Sequence, residues 1–264
     1  PPPCYPCDVM QPVSSPAIVL RTIEHGDNDK ILTFFTLRHG KTSLIAKGAQ
    51  KSVKRFSGTL ELFSAIHLVW TASRNRGLPF LQEASIIHPY DHIRTSIRRT
   101  IHASCWCELV YQWMEEGQAQ AALFRLLKRL LEQLNSEAVS EEVLHIAFQI
   151  HFMALNGFRP GLKRCNTCAL PIDRMQGTDV AFHVKAGGIL CPACGPRGPG
   201  YLRLSKGTVK ILNWILNSPL AHLDRIRFSR RSIDESLHLL DAFVPYHLGK
   251  ETKSAQMLKH LREG

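Results

Sequence analysis

AIVLRTIEHGDNDKILTFFTLRHGKTSLIAKG, residues 17–48, sets the fold class of this chain. Three runs rich in β-branched and aromatic residues, AIVLRTI, KILTFFTL and TSLIAKG, are divided by His25-Gly26-Asp27-Asn28-Asp29 and by His39-Gly40-Lys41, both of them turn chemistry. The pattern predicts a meander. Downstream, LFSAIHLVW (62–70) alternates and places Leu62, Ile66, Leu68 and Trp70 on one face, and FLQEASII (80–87) follows the turn-like SRNRGLP. Five short strands in about seventy residues suit a small closed barrel, although an SH3-like barrel or a sandwich fragment would give nearly the same periodicity. Upstream, residues 1–16 are Pro-rich without apolar periodicity and are expected to be a flexible tail, in which Cys4 and Cys7 lack a second pair to complete a metal site.

After Pro89 the period changes to that of helices. Asp91 is expected to cap a helix carrying Ile93, Ile97, Ile101, Cys105, Leu109 and Trp113. A second stripe runs Ala119, Ala122, Leu123, Leu126, Leu127, Leu130, Leu131, Leu134, and a third follows Ser140 through Val143, Ile146, Ala147, Ile150 and Ala154 to Gly157. Cys105 and Cys107 fall inside the first helix, where they read as small buried hydrophobes. Helices resume at Ser205 with Val209, Leu212, Ile215 and Leu216, and a capping box, Ser232-Ile-Asp-Glu235, is expected to open another carrying Ile233, Leu237, Leu240 and Phe243.

Between these helices lie Cys165-Asn-Thr-Cys168 and Cys191-Pro-Ala-Cys194. Each C-x-x-C turns sharply enough to aim two thiolates at one ion, and two such knuckles complete a tetrahedral shell with no position open for substrate water, so structural Zn2+ is the predicted occupant ahead of iron. A redox dithiol would need a strand-to-helix βαβ setting, and a zinc deaminase would need a His-x-Glu motif that the sequence lacks. His183, between the knuckles, reads as a loop residue.

A formal net charge of +11 points to a polyanionic partner. The basic residues gather: Arg38, Lys41, Lys47, Lys51, Lys54, Arg55, Arg74 and Arg76 lie in a stretch whose only acid is Glu61. AKGAQKSVKRFSG reads as a mobile loop joining two strands, and lysines beside a β-platform make a phosphate-tracking groove on which an exposed aromatic could stack a base. Phe63 and Trp70 belong to the core on this reading, whereas Phe56 is balanced between core and stacking. A second set, Arg94, Arg98 and Arg99 with Arg125, Lys128 and Arg129, lies opposite the apolar stripes, as a solvated face or as an extension of the track towards DNA or an acidic partner. No Walker A, G-x-G-x-x-G, G-x-S-x-G or H-E-x-x-H pattern occurs, so no enzyme is predicted. No run approaches the roughly 18 apolar residues of a membrane span, and a cytoplasmic protein is expected.

The order of these pieces resembles a known family. GDNDKILTFFTLRHGKTSLIAKGAQKSVKRFSGTLELFS (26–64) is similar to the N-terminal barrel of bacterial RecO proteins, while MALNGFRPGLKRCNTCALPI (153–172) and GGILCPACG (187–195) resemble that family's zinc-loop region, and 229–258 its closing helices. The resemblance implies an α+β chain: an N-terminal five-stranded OB-fold β-barrel over 17–88 and an α-helical domain over 89–264 with an inserted Cys4 zinc finger at 163–196. It further implies a non-enzymatic, nucleoid-associated repair mediator that binds single- and double-stranded DNA and anneals strands. The family works with RecR and with the acidic C-terminal tail of single-stranded DNA-binding protein, and acts indirectly on RecA. Its basic barrel surface corresponds here to Lys41, Lys47, Lys51, Lys54 and Arg55, and its zinc ligands to Cys165, Cys168, Cys191 and Cys194. An RNA-binding or ribosome-associated zinc protein with a basic OB-fold is the alternative, because its residues would look the same.

Overall fold

A computed structural model describes residues 11–51, 56, 58–71, 77–195 and 198–263. Its first five strands are β1 (Val13–His25), β2 (Asp29–Thr36), β3 (Gly40–Ala46), β4 (Ala65–Thr71) and β5 (Phe80–His88), closed in the order β1-β2-β3-β5-β4 with β4 returning to β1. That order, antiparallel except for the β3–β5 contact, is a five-stranded Greek-key OB-fold barrel. Inside sit Val19, Leu32, Phe34, Leu44, Ile66, Leu68 and Trp70.

Three expectations at the barrel need correction. Val13–Pro16, expected in the leading tail, are the first residues of β1 and pair with β4, Val13 opposite Trp70. The fourth strand starts at Ala65 and not at Leu62, because Phe63 adopts a left-handed φ of 73° and donates its N–H to the Val19 carbonyl at 3.0 Å, which turns Leu62 outward. The loop expected to be mobile begins as an ordered turn over 47–51: the Gly48 N–H donates to Asp29 Oδ1 (2.8 Å) and the Gln50 N–H to the Asn28 carbonyl (2.9 Å).

Helices follow: α1 (Asp91–Arg94), α2 (Ile97–Trp113), α3 (Ala121–Ser136) and α4 (Glu141–Leu155), then α5 (Lys206–Asn217), α6 (Arg230–Leu248) and α7 (Lys253–Glu263). The chain divides into two compact units, one of residues up to Tyr90 together with Cys107–Phe124, the other of Asp91–Trp106 with Arg125 onward. Within the first unit the 107–124 segment covers the outside of the barrel. Phe35 faces away from the barrel interior yet is fully buried, with its ring 5.9 Å from that of Phe124. This is why LTFFT reads as a continuous apolar run. Gly40 has φ 64°, and a Cβ there would lie 2.0 Å from the Gln118 carbonyl oxygen, so this turn admits no side chain.

The single helix expected from Asp91 is two. Thr95 and Thr100 hydroxyls donate to the carbonyls of His92 and Ile93, competing with helix continuation, and Ile97 is 74% exposed instead of lying on the apolar stripe. In α3 the leucines from Leu123 to Leu134 are buried, but Ala122 is exposed. Ser140 caps α4 as expected, accepting from the Val143 N–H. The capping box at Ser232 is not one: α6 begins three residues earlier, capped by Ser229, and Ser232 is buried within the first turn. Glu235 serves α5 instead, accepting from the Ser205 N–H and hydroxyl at 2.8 Å and from Thr208 Oγ1 at 2.5 Å.

Two histidines lie deep in the second unit, His102 on α2 and His145 on α4, with their rings 5.0 Å apart. Burial, then the charges of Arg98 and Arg262, lowers the His102 pKa to about 3, and burial likewise holds His145 well below its usual value. Trp106 Nε1–H donates to His145 Nδ1 at 3.1 Å, so that ring nitrogen acts as an acceptor and carries no proton.

Candidate metal centre and basic surface

Residues 157–205 build a small scaffold within the second unit. Its sheet, β6 (Asp179–His183), β7 (Gly188–Leu190) and β8 (Tyr201–Ser205), has the order β7-β6-β8 and was not legible as strands in the sequence. The first knuckle is closed by the Ala169 N–H donating to the Cys165 carbonyl and the Cys165 N–H to the Leu170 carbonyl, both 2.9 Å. It is fastened to β7 through the Asn166 N–H, which donates to the Ile189 carbonyl at 2.8 Å. A Cβ on Gly188 would lie 2.1 Å from Asn166 Nδ2, so any side chain there would push the Asn166 side chain aside. The second knuckle is a short 3₁₀ turn, Pro192–Cys194, with the Cys194 N–H donating to the Cys191 carbonyl at 3.0 Å. Phe182 anchors the sheet on α6, edge-on to Phe243 at 5.6 Å.

The two turns bring Cys165, Cys168, Cys191 and Cys194 together with all four Sγ atoms within 4.8 Å of one another. Cys168 and Cys191 sulfurs are 3.6 Å apart. A tetrahedral ion with bonds of about 2.3 Å to sulfur needs sulfurs about 3.8 Å apart, so the four cysteines fit one ion. Burial opposes ionisation of Cys165, but N–H groups of Cys168, Cys191 and Thr167 aimed at its sulfur prevail and bring its pKa to about 6. Cys194, hydrogen-bonded first to Cys191 and then to Cys168, is pushed up to about 12. A metal bound by the four sulfurs would displace the protons that remain on them. His183 is on β6, stacked on Tyr201 at 4.5 Å, and is no part of this cluster. Cys105 and Cys107 are buried helix residues.

The basic residues divide into four groups. Arg38, Lys47 and Lys51 are exposed on the barrel, and Lys47 holds its Nζ 5.1 Å from the centroid of the Phe80 ring. Lys41 is committed elsewhere: its ammonium donates to the Tyr111 carbonyl at 3.0 Å and lies over the Tyr111 ring, whose other cation is Arg21. Lys54, Arg55, Arg74 and Arg76 lie outside the described residues. On the helices, Arg94 pairs with Asp91, Arg98 with Glu142 (2.9 Å), Arg99 with Glu137 (2.7 Å), and Lys128 and Arg129 with Glu132. Arg125 is exposed and has no ion pair among the described residues. Phe63 and Trp70 are interior, as the core reading has them, and Phe56, balanced between core and stacking, is interior too: each is 5% exposed or less. Sequence reasoning missed Phe80, which opens its strand next to a turn and carries no alternation signal of its own.

Comparison with known proteins places this geometry. Residues 10–90 match the model of the recombination protein O N-terminal region and residues 94–256 that of the recombination protein O C-terminal region. Relatives include a DNA repair protein RecO of Desulfatibacillum aliphaticivorans, 43% identical over 96% of this chain and 98% of the relative, and one of Desulfosudis oleivorans, 39% identical over 94% and 98%. A DNA repair protein RecO of Syntrophus aciditrophicus is 34% identical over 92% of this chain and 94% of its own length.

Proposed function

Because this chain belongs to the RecO family of DNA repair proteins, we propose that it works in repair by holding single- and double-stranded DNA on its barrel, annealing complementary strands and helping recombinase load. The observation that carries the reading is the pair of exposed cations Lys47 and Lys51 on an ordered turn at the rim of a closed barrel, in a chain of net charge +11. Cations held beside a β-surface neutralise phosphates, and two strands neutralised on one protein repel each other less, so bases can pair without any bond being broken. Arg38 shares that side of the proposal, with Lys54, Arg55, Arg74 and Arg76 as further contacts. Lys41 braces the barrel against Tyr111. The arginines and lysines of the helices, most of them already in ion pairs, take second place.

The four cysteines are proposed to hold Zn2+, which would crosslink the two knuckles and supply no chemistry beyond folding. RecR, the acidic tail of single-stranded DNA-binding protein and, indirectly, RecA are the proposed partners. For the tail, the helical unit offers a cavity of about 180 Å³ with Leu237, Leu258 and Leu261 in its wall beside Arg98 and Arg262. Among the described residues no helix is long and apolar enough to cross a membrane, which accords with the proposed cytoplasmic place of action.

Titration of a fluorescent single strand at several salt concentrations, with unlabelled RNA of equal length as competitor, tests the reading. Salt-steep binding with DNA preferred, and accelerated annealing of complementary strands, is the expected result; preference for RNA would transfer the chain's proposed role to an RNA-binding protein.

A further inference from the structure

On the outer surface of the barrel the strand register lines up Ile23 with Ile31, Ile31 with Ile45, and Ile45 with Phe80. Registered residues share a face, and their chain neighbours Leu32, Leu44, Ala46 and Leu81 are in the core, so this row points outward. Two residues along β1, β2 and β3 lies a second outward row, Arg21, Thr33 and Ser43. That row is occupied: Arg21 donates to the Tyr111 hydroxyl (2.7 Å) and Ser43 to Glu116 (3.0 Å). The first row is left more open, with Ile23 42% exposed and Ile31, Ile45 and Phe80 half-buried. Phe34, Phe35, Phe56, Phe63, Trp70 and Tyr90 are all buried, so Phe80 is the one Phe, Tyr or Trp ring of residues 11–90 that solvent reaches among those described.

We propose that Phe80, at the end of this apolar row, is the platform on which an unpaired DNA base stacks, while Lys47 leaves the ring for the neighbouring phosphate. The inference rests on the DNA-binding reading above and adds to it a contact that sees bases as well as charge. Magnitudes favour the exchange. An ammonium over an exposed aromatic face strengthens an equilibrium by only about two- to fivefold. A base stacked on an aromatic is worth about five- to 150-fold. The displaced ammonium is not wasted, since a phosphate accompanies every base. An acidic protein partner would also suit a cation beside an apolar row, and unchanged oligothymidylate binding by Phe80→Leu would point to it in place of a base.

The test compares Phe80→Leu, which keeps an apolar side chain on the row but removes the π-face, with Phe80→Tyr, which keeps it. Circular dichroism and melting establish that both are folded. With fluorescent oligothymidylate at fixed salt, Phe80→Leu is expected to bind about fivefold or more weakly than wild type, and Phe80→Tyr close to wild type. The slope of log affinity against log salt should not move, because a lost stack releases no counterions. Binding to a blunt duplex, whose base faces are already stacked, should be unchanged. Equal binding of oligothymidylate by Phe80→Leu and wild type overturns the platform and leaves DNA binding standing, as does an equal loss on single strand and duplex. Wild-type protein that binds neither substrate removes the DNA reading and the platform together.

Discussion

Acidification between pH 7 and 5 should destabilise this protein through His102, and the size of the effect follows from its surroundings. In the unfolded chain an imidazole takes up a proton near pH 6.5, whereas in the fold burial and the nearby guanidinium groups hold His102 neutral down to about 3. The unfolded state therefore binds the extra proton, and stability that is fully present above pH 6.5 is lost as the pH falls towards 3. From pH 7 to 5 the loss is about 2 kcal/mol from this residue, and His145, lowered for the same reason, adds to it with the same sign. Asp241 works in the other direction at the acid end, because burial raises its pKa so that the folded state gains a proton first. Any metal held by the cysteines would also be shed in acid. The measurement that isolates His102 is thus a difference: urea unfolding of wild type and of His102→Leu at pH 7, 6 and 5. Nδ1 of His102 has no hydrogen-bond partner, so leucine leaves no orphaned group behind. The variant should lose about 2 kcal/mol less than wild type over that interval. Parallel curves for the two proteins would refute the claim that His102 is buried and neutral.

Changing Lys47, Lys51, Lys54 and Arg55 together to Glu should flatten the salt dependence of single-strand binding by about 2 to 3 units, at about 0.7 per lost phosphate contact, and slow annealing with it. An unchanged slope in a folded variant moves the DNA track off this loop. Cys165→Ser or Cys191→Ser should reduce bound zinc from one per chain to none and lower the melting temperature, as a chelator should in the wild type, and metal analysis with calorimetry checks both. Gly40→Ala should cost about 2 kcal/mol or more, read by chemical denaturation, because the added methyl meets the Gln118 carbonyl at a positive φ; a neutral result would mean that this turn can relax.

What was legible in the sequence follows the strength of each physical signal. Alternation and Gly-rich turns disclosed the barrel, and four paired cysteines disclosed the metal cluster, since both patterns are local. Leu62 and Ile97 were misplaced because a left-handed Phe63 and threonine-to-carbonyl bonds break the period within one or two residues, and no periodicity count registers that. The Ser232 capping box failed because its glutamate is claimed by α5, a contact spanning 30 residues. Lys41 looked like any other lysine of the basic stretch until Tyr111, 70 residues away, was found beneath it. The β6–β8 sheet was hidden by short strands of three to five residues, too brief for alternation to stand out.

The barrel's outer cover has a bearing on how the protein is made. The unit that contains the five strands is discontinuous in the sequence, ending at Tyr90 and resuming over Cys107–Phe124. When the fifth strand leaves the ribosome, Phe35 still lacks Phe124 and Lys41 still lacks Tyr111. At bacterial elongation rates of about 5–20 residues per second, those partners arrive a few seconds later. During that interval the nascent barrel presents a bare phenylalanine and an unbraced turn, so vectorial synthesis delivers the first unit incomplete. A gene fragment stopped at Tyr90 would freeze that state permanently, and a fragment carried through Phe124 is the shorter piece worth expressing.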